Sequence, residues 1–195
     1  MFFLATPTTA QDMNFIDIRT TDRFYDAVKY VFERELQNSA VEAIFVPNAN
    51  LTHAMLVTIF YRYEAAPVVT GAASFADVAN SQWYSEAIAW VNANYIVGGY
   101  GDGSFGTNDN IAREQFAAIL YRHAQFKKLN TVKTTDLVGY TDAAIISAWA
   151  TDAMKWASAD GLINGCTETT LTPSGTTTRA EAATILMRFI EGFVK

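Results

Sequence analysis

The sequence predicts an all-α chain built from three tandem helix–loop–helix repeats. Three observations predict it. The first is a near-repeat of the stretch 75–122: Phe15, Asp17, Ala27, Val31, Phe45, Asn48, Ile59, Tyr61 and Arg62 match Phe75, Asp77, Ala87, Val91, Phe105, Asn108, Ile119, Tyr121 and Arg122 sixty residues on, without a gap. The second is a further match sixty-six residues on, where Trp83, Ala87, Trp90, Gly99, Arg113, Ala117, Leu120 and Arg122 meet Trp149, Ala153, Trp156, Gly165, Arg179, Ala183, Leu186 and Arg188. The third is a three-to-four residue spacing of apolar side chains in two segments of each copy, the period of a helix with one buried face. Each copy reads as an acidic turn, a helix, a loop rich in Gly or Asn, and a second helix. One helix pair has too small a core to stand alone, so the three are expected to pack together.

The copies divide the chain into a tail or linker at 1–14, repeat 1 at 15–66, a linker at 67–74, repeat 2 at 75–126, a linker at 127–139 and repeat 3 at 140–195. The tail's short apolar start, MFFLAT, lacks the basic flank and length of a secretory leader. The first helices are expected over 24–36, 83–95 and 149–160, with Phe24, Val28 and Val31 on the inner stripe of the first, and Trp83, Ala87, Trp90 and Val91 on that of the second. The loop at 97–103 holds four glycines in seven residues and cannot continue a helix. The second helices are expected over 52–63, 112–126 and 179–193. Thr178-Arg179-Ala180-Glu181 reads as a capping box; Ala112 to Gln115 keeps only the glutamine, and Thr52 to Met55 only the cap hydroxyl.

A basic residue opens each second helix: His53, Arg113 and Arg179. A cation there opposes the helix dipole, which makes sense if it faces an anion together with free N–H groups. Arg62, Arg122 and Arg188 recur near the other end, where a cation is favourable for stability alone. Asp77 and Asp142 brace a turn or meet a ligand. Trp90 and Trp156 read as core, whereas Trp83 and Trp149, at helix starts, serve either core or site.

Composition narrows the function. Half of the 195 residues are hydrophobic, which supports a packed core, and the net charge of −6 argues against nucleic acid as a partner. No apolar run reaches the roughly 20 residues of a membrane span, so no membrane insertion is expected. The single cysteine, Cys166, reads as a small turn residue and forms no intrachain disulfide. His53 and His123 have no acidic partner at a metal-ligand spacing, and the Gly101–Asp109 stretch lacks the alternating acids and closing glutamate of a calcium loop. No metal, cofactor or catalytic residue is expected, and no motif of a nucleophilic or phosphate-binding enzyme is present.

The order and spacing of Phe75-Ala76-Asp77-Val78, Trp83, Ile96-Val97-Gly98-Gly99-Tyr100, Asp102-Gly103-Ser104-Phe105 and Ile111-Ala112-Arg113-Glu114-Gln115 resembles the S-layer homology domain. Thr178-Arg179-Ala180-Glu181 matches that family's threonine-arginine-alanine-glutamate motif in full. The resemblance spans residues 15 to 190. It implies a pseudo-threefold helical spindle with ligand grooves between neighbouring copies. It also implies a non-enzymatic role at the bacterial cell surface: anchoring to secondary cell-wall polysaccharide bearing pyruvylated N-acetylmannosamine. By position, the resemblance assigns ligand contact to Arg113 and Arg179 and a groove lining to Gly99, Gly165, Asp77, Asp142, Trp83 and Trp149. In repeat 1, His53, Arg23 and Ser39 stand where the arginine, tryptophan and loop glycine are expected, so this copy is expected to be mainly scaffold. The other readings are a self-associating structural module of a surface layer and a wall-glycan hydrolase, the latter requiring paired carboxylates at a fixed separation.

Overall fold

A computed structural model describes residues 13–71, 73 and 75–193. The expected tail at 1–14 therefore lies almost wholly outside the described residues. Six α-helices are present among the described residues: α1 (Tyr25–Glu33), α2 (His53–Tyr63), α3 (Ser85–Ala93), α4 (Arg113–Phe126), α5 (Thr151–Ala159) and α6 (Arg179–Phe193). Two 3₁₀ turns, Ala143–Ile145 and Ala148–Ala150, lead into α5. Among the described residues, strand-like pairing is limited to isolated bridges such as Asn50 with Thr178 and Thr52 with Asn110. The all-α expectation holds.

Each first helix packs against the second helix of the preceding copy: α3 on α2, α5 on α4, and α1 on α6. The last pair joins the two ends of the described chain and closes the three copies into a ring. At its centre lie three equivalent residues, Leu51, Ile111 and Thr177, all fully buried. Their backbones form a closed triangle of hydrogen bonds. The Leu51 N–H donates to the Thr177 carbonyl (2.9 Å), Thr177 to Ile111 (3.0 Å), and Ile111 to Leu51 (2.8 Å). Nearest neighbours in the ring thus satisfy backbone groups that burial would otherwise leave unpaired.

Thr177 is the polar member of this triangle, and its buried Oγ1 has no partner among the described residues. Thr177→Val keeps the β-branched shape and removes the stranded hydroxyl. It is expected to stabilise the fold by about 1 kcal/mol, read as a higher urea midpoint; a lower midpoint would contradict this view of the site.

The first helices are shorter than the periodicity predicts. Each ends in a residue with left-handed backbone, Glu35 (φ 55°), Tyr95 (φ 59°) or Gly161 (φ 68°). The following Leu36, Ile96 and Leu162 turn their N–H groups back to the carbonyls of Val31, Val91 and Ala157 at 2.8–2.9 Å. This is a Schellman ending, which normally takes glycine at the left-handed position. Leu36, Ile96 and Leu162 are buried, so the apolar pattern runs on past the point where the helix stops.

The second helices begin where the caps place them. Thr178 and Glu181 form the reciprocal box: the Thr178 N–H donates to Glu181 Oε2 (2.8 Å), and the Glu181 N–H to Thr178 Oγ1 (3.3 Å). Thr52 Oγ1 accepts from the Met55 N–H, and Gln115 Oε1 from the Ala112 N–H. The tryptophans separate by position: Trp90 and Trp156 are 6% and 1% exposed, Trp83 and Trp149 60% and 55%.

Candidate functional site

The three helix-opening basic residues all point across a boundary into the loop of the next copy. Arg113 donates from Nε to the Leu171 carbonyl (2.8 Å) and from Nη2 to the Asn164 carbonyl (2.6 Å). Arg179 donates from Nε to the Phe45 carbonyl (2.8 Å) and from Nη2 to the Asn38 carbonyl (2.7 Å), with its guanidinium carbon 4.5 Å from the centre of the Phe45 ring. His53 takes the first of these places in repeat 2: Nδ1 lies 3.3 Å from the Phe105 carbonyl oxygen, and Nε2 lies 3.1 Å from Gln115 Oε1. Phe45, Phe105 and Leu171 are equivalent positions, as are Asn38, Gly98 and Asn164. The clamps therefore run in a cycle, from repeat 1 to 2, 2 to 3, and 3 to 1.

The free N–H groups expected beside these cations are not free. The N–H groups of His53, Arg113 and Arg179 donate to the carbonyls of Asp109, Gly175 and Ala49, and those of the next residues to Thr107, Pro173 and Pro47. The loop of the neighbouring copy serves as the anion-like cap of each helix, its carbonyl oxygens supplying the partial negative charge that the dipole attracts. Arg113 and Arg179 are 6% and 7% exposed. Burial lowers the Arg179 guanidinium from its ordinary value, against the opposing pull of Asp17. Among the described residues the guanidinium hydrogen bonds of both arginines use Nε and Nη2.

The acidic turns hold the same loops from the other side. Asp77 accepts from the N–H groups of Phe105 (2.7 Å) and Gly106 (2.8 Å), and Asp142 from Leu171 (2.8 Å) and Thr172 (2.7 Å). Asp17 does the same for Phe45 and Val46. Burial works upward on the Asp77 and Asp142 carboxyls, but the loop N–H donors outweigh it and leave both below the usual carboxylate range. Arg62, Arg122 and Arg188 reach the Leu36, Ile96 and Leu162 carbonyls only at 3.4–3.5 Å, the outer limit of a hydrogen bond.

Gly99 adopts φ +72°, and a Cβ there would lie 2.5 Å from the Ser104 carbonyl oxygen and 2.7 Å from the Phe75 ring. A Cβ on Gly165 would lie 2.7 Å from the Tyr140 ring and 2.9 Å from the Thr170 carbonyl oxygen. Both glycines let the loop fold against itself. Cys166 is exposed and sits in that third loop, its N–H donating to the Thr170 carbonyl.

A cleft of about 380 Å³ opens at the boundary where histidine replaces arginine. It is lined by His53 from repeat 1, by Gly98, Gly99, Tyr100 and Phe105 from the loop of repeat 2, by Gln115 and Arg122 from α4, and by Trp149 from repeat 3. Side chains from all three copies thus meet in one place. Of the residues expected to line a groove, this cleft brings together Gly99 and Trp149; it does not include Arg113, Arg179, Asp77, Asp142, Trp83 or Gly165. Repeat 1, expected to be mainly scaffold, contributes a wall of the cleft through His53. His53, Tyr100, Gln115 and Arg122 were not singled out for the site by the sequence. The one available signal was the loss of arginine at position 53. Tyr100 is held by a hydrogen bond from its hydroxyl to Asp109 Oδ2 (2.8 Å); burial first and Asp109 second push its pKa up to about 12, so it stays a neutral donor.

His123, the second histidine, is fully buried against Phe60, Tyr63 and Phe189, with Nε2 3.0 Å from Glu64. Burial lowers its pKa, and this group belongs to the packing at the far end of α4. No helix among the described residues is long and apolar enough to cross a membrane.

Fold and boundary geometry define the class: a tandem helical-repeat module closed into a ring by loop clamps. Residues 74–117 and 139–183, in the second and third copies, match the model of the S-layer homology domain. An amylopullulanase from Thermoanaerobacterium thermosulfurigenes is 29% identical over 170 residues, covering 85% of this chain and 9% of that protein. An exoglucanase, XynX, from Acetivibrio thermocellus is 27% identical over 168 residues, covering 85% of this chain and 15% of its own length. An S-layer protein from Bacillus thuringiensis subsp. finitimus is 27% identical over 187 residues, covering 95% of this chain and 22% of its own. The chain therefore spans a small part of these relatives. The family and its surface-layer relatives place the module at the cell surface, in association with the wall.

Proposed function

We propose that this module anchors a surface protein non-covalently to the bacterial cell wall by binding secondary cell-wall polysaccharide at the boundaries between its repeats. The first copy acts as a third, divergent repeat of the same family. The observation that carries the reading is the cleft in which His53, Gly99 and the exposed Trp149 meet from three copies. A tryptophan face gives a sugar ring a large rigid surface at little entropic cost. A relative with the same module on a much longer glycan-processing enzyme fits a module that supplies location and no chemistry.

The finer reading is a pyruvylated N-acetylmannosamine ligand, in which a ketal carboxylate faces a guanidinium. Arg113 and Arg179 supply guanidinium donors for such a group, and charge-assisted hydrogen bonds of this kind are among the strong ones. Trp83, Asp77, Asp142 and Gly165 shape the boundaries around them. Several weak sites along one repeating polymer add by multivalency. The test is co-sedimentation with purified cell walls, before and after chemical removal of the secondary polysaccharide. The expected result is pelleting with the intact wall and loss of at least tenfold in affinity on the stripped wall. Equal pelleting with both would overturn the proposal.

A further inference from the structure

We propose that Asn164-Gly165 is a site of spontaneous covalent modification, at which the Gly165 backbone nitrogen closes on the Asn164 side-chain amide and Arg113 activates that nitrogen. The products are aspartate and isoaspartate at position 164.

Asn164-Gly165 is the one Asn-Gly pair in the sequence. It lies in the loop of repeat 3, with Asn164 exposed. Among the described residues, neither the Asn164 side-chain amide nor the Gly165 N–H makes a hydrogen bond. A Cβ at position 165 would lie 2.3 Å from the Thr167 carbonyl oxygen and 2.7 Å from the Tyr140 ring. The crowding that keeps glycine in this loop therefore also leaves no side chain beside the attacking nitrogen.

The peptide unit between the two residues is electronically unusual. Arg113 Nη2 donates to the Asn164 carbonyl at 2.6 Å. That oxygen and the Gly165 nitrogen belong to the same amide. A cation on the oxygen draws electron density from the nitrogen and favours the anion left when its proton departs. Solvent hydroxide takes that proton, and the nitrogen forms a bond to Asn164 Cγ. The bond from Cγ to the side-chain nitrogen breaks, and ammonia leaves. A five-membered succinimide remains, and one water opens it. Opening at Cγ gives aspartate; opening at the backbone carbonyl carbon gives isoaspartate. Nothing is oxidised or reduced. In isoaspartate the oxygen that Arg113 holds has become part of a carboxylate, and the chain runs on through Cβ and Cγ. The clamp changes from a cation on a carbonyl to an ion pair.

The molecule carries its own controls. Asn38 holds the equivalent place in repeat 1, with Arg179 Nη2 on its carbonyl at 2.7 Å, but serine follows it. Asn80-Ser81 is the same dipeptide, also exposed, and among the described residues no arginine holds the Asn80 carbonyl.

The experiment holds the folded protein in mildly alkaline buffer, digests it, and scores each asparagine peptide for aspartate and isoaspartate by mass spectrometry with electron-transfer fragmentation. Asn164 should convert first, releasing one ammonia per residue converted. It should convert at least threefold faster than in a synthetic peptide of residues 161–170, which has the same pair and no Arg113. Asn38 should convert at least threefold faster than Asn80. Arg113→Gln should slow Asn164 at least threefold and leave Asn38 within twofold of the parent, and Arg179→Gln should do the mirror image. A purely structural arginine gives the opposite sign, because a loosened loop reaches the cyclic geometry more easily. An Asn164 rate that is unchanged or raised in Arg113→Gln would overturn the proposal. So would a folded-state rate at or below that of the peptide, or equal rates at Asn38 and Asn80. If Arg113→Gln does not fold, the last two comparisons decide, since neither needs a variant.

Discussion

Arg179→Ala is expected to cost about 3 kcal/mol of stability, read from urea unfolding. The substitution strands the carbonyls of Phe45 and Asn38, both held now by the guanidinium at 2.7–2.8 Å. The Phe45 carbonyl is a buried acceptor, and leaving it without a partner costs roughly 1–3 kcal/mol; the Asn38 carbonyl is part-buried and loses less, and relief of the arginine's own desolvation offsets part of both. Arg113→Ala removes the equivalent pair, to Leu171 and Asn164. The two should not be equal. Repeats 2 and 3 are also joined by the chain segment 127–139, whereas the boundary of repeat 3 with repeat 1 ties residues 134 and 141 positions apart. Releasing that boundary frees more chain, so Arg179→Ala should be the more damaging. Lysine at either position should recover only part of the loss, because a point charge on a flexible stem does not span two fixed carbonyls. His53→Ala, with one loop carbonyl at stake, should cost about 1 kcal/mol. A change within 0.5 kcal/mol of the parent for Arg179→Ala, about the scatter of an ordinary surface substitution, would show that the clamp is not what closes the ring. This structural duty also means that alanine at Arg113 or Arg179 weakens glycan binding by opening the boundary, whether or not the guanidinium meets the sugar. Variants on the cleft wall, such as Arg122→Gln, separate the two effects.

The clamps explain how much of the molecule the sequence revealed. The triplication, the six helices and the starts of the second helices were legible because they depend on local signals. Thr178 and Glu181 cap within one turn, and α6 runs over Arg179–Phe193 as the period predicts. The burial of Trp156 was legible in the same way, from its place on the inner stripe, whereas Trp149 read as either core or site and only the fold shows it exposed. The ends of the first helices were not. Leu36, Ile96 and Leu162 continue the apolar pattern after a left-handed residue has already broken the helix, and two of the three breaks use Glu35 and Tyr95 where glycine would be the readable sign. The direction of the opening cations was not legible either. A cation at a helix start suggests an awaited anion, but the partners are carbonyl oxygens 51 to 141 residues away, a relation that no local pattern encodes. The exchange of arginine for histidine at position 53 read as a loss of function for the same reason. Only with the neighbouring loop in place does the shorter side chain become an opening.

Gly99→Ala and Gly165→Ala are expected to lose about 3 kcal/mol each, although glycines in such loops are commonly regarded as mere flexible joints. The two reach that cost by different routes. At Gly99 the backbone is left-handed at φ +72°, which costs an alanine about 1 kcal/mol. The new Cβ would also sit 2.5 Å from the Ser104 carbonyl oxygen, and forcing atoms apart in a packed loop costs about 1–3 kcal/mol more. Gly165 has no left-handed backbone to strain, and its whole cost is crowding by the Thr167 and Thr170 carbonyls and the Tyr140 ring. Gly101 and Gly103 supply the comparison: they are left-handed at φ +85° and +91°, with nothing within 4 Å of an added Cβ. Alanine there should cost only about 1 kcal/mol. If Gly99→Ala is no worse than Gly101→Ala in urea unfolding, close approach is not what the glycine provides. Gly165 adds a sharper test, because it follows Asn164, whose carbonyl holds Arg113. An alanine that pushes this loop outward breaks the same clamp that Arg113→Ala removes. The double variant should therefore be less destabilised than the sum of the singles by about 1 kcal/mol or more, the coupling expected of residues that share a contact. Strict additivity would mean that the glycine and the arginine support the boundary independently.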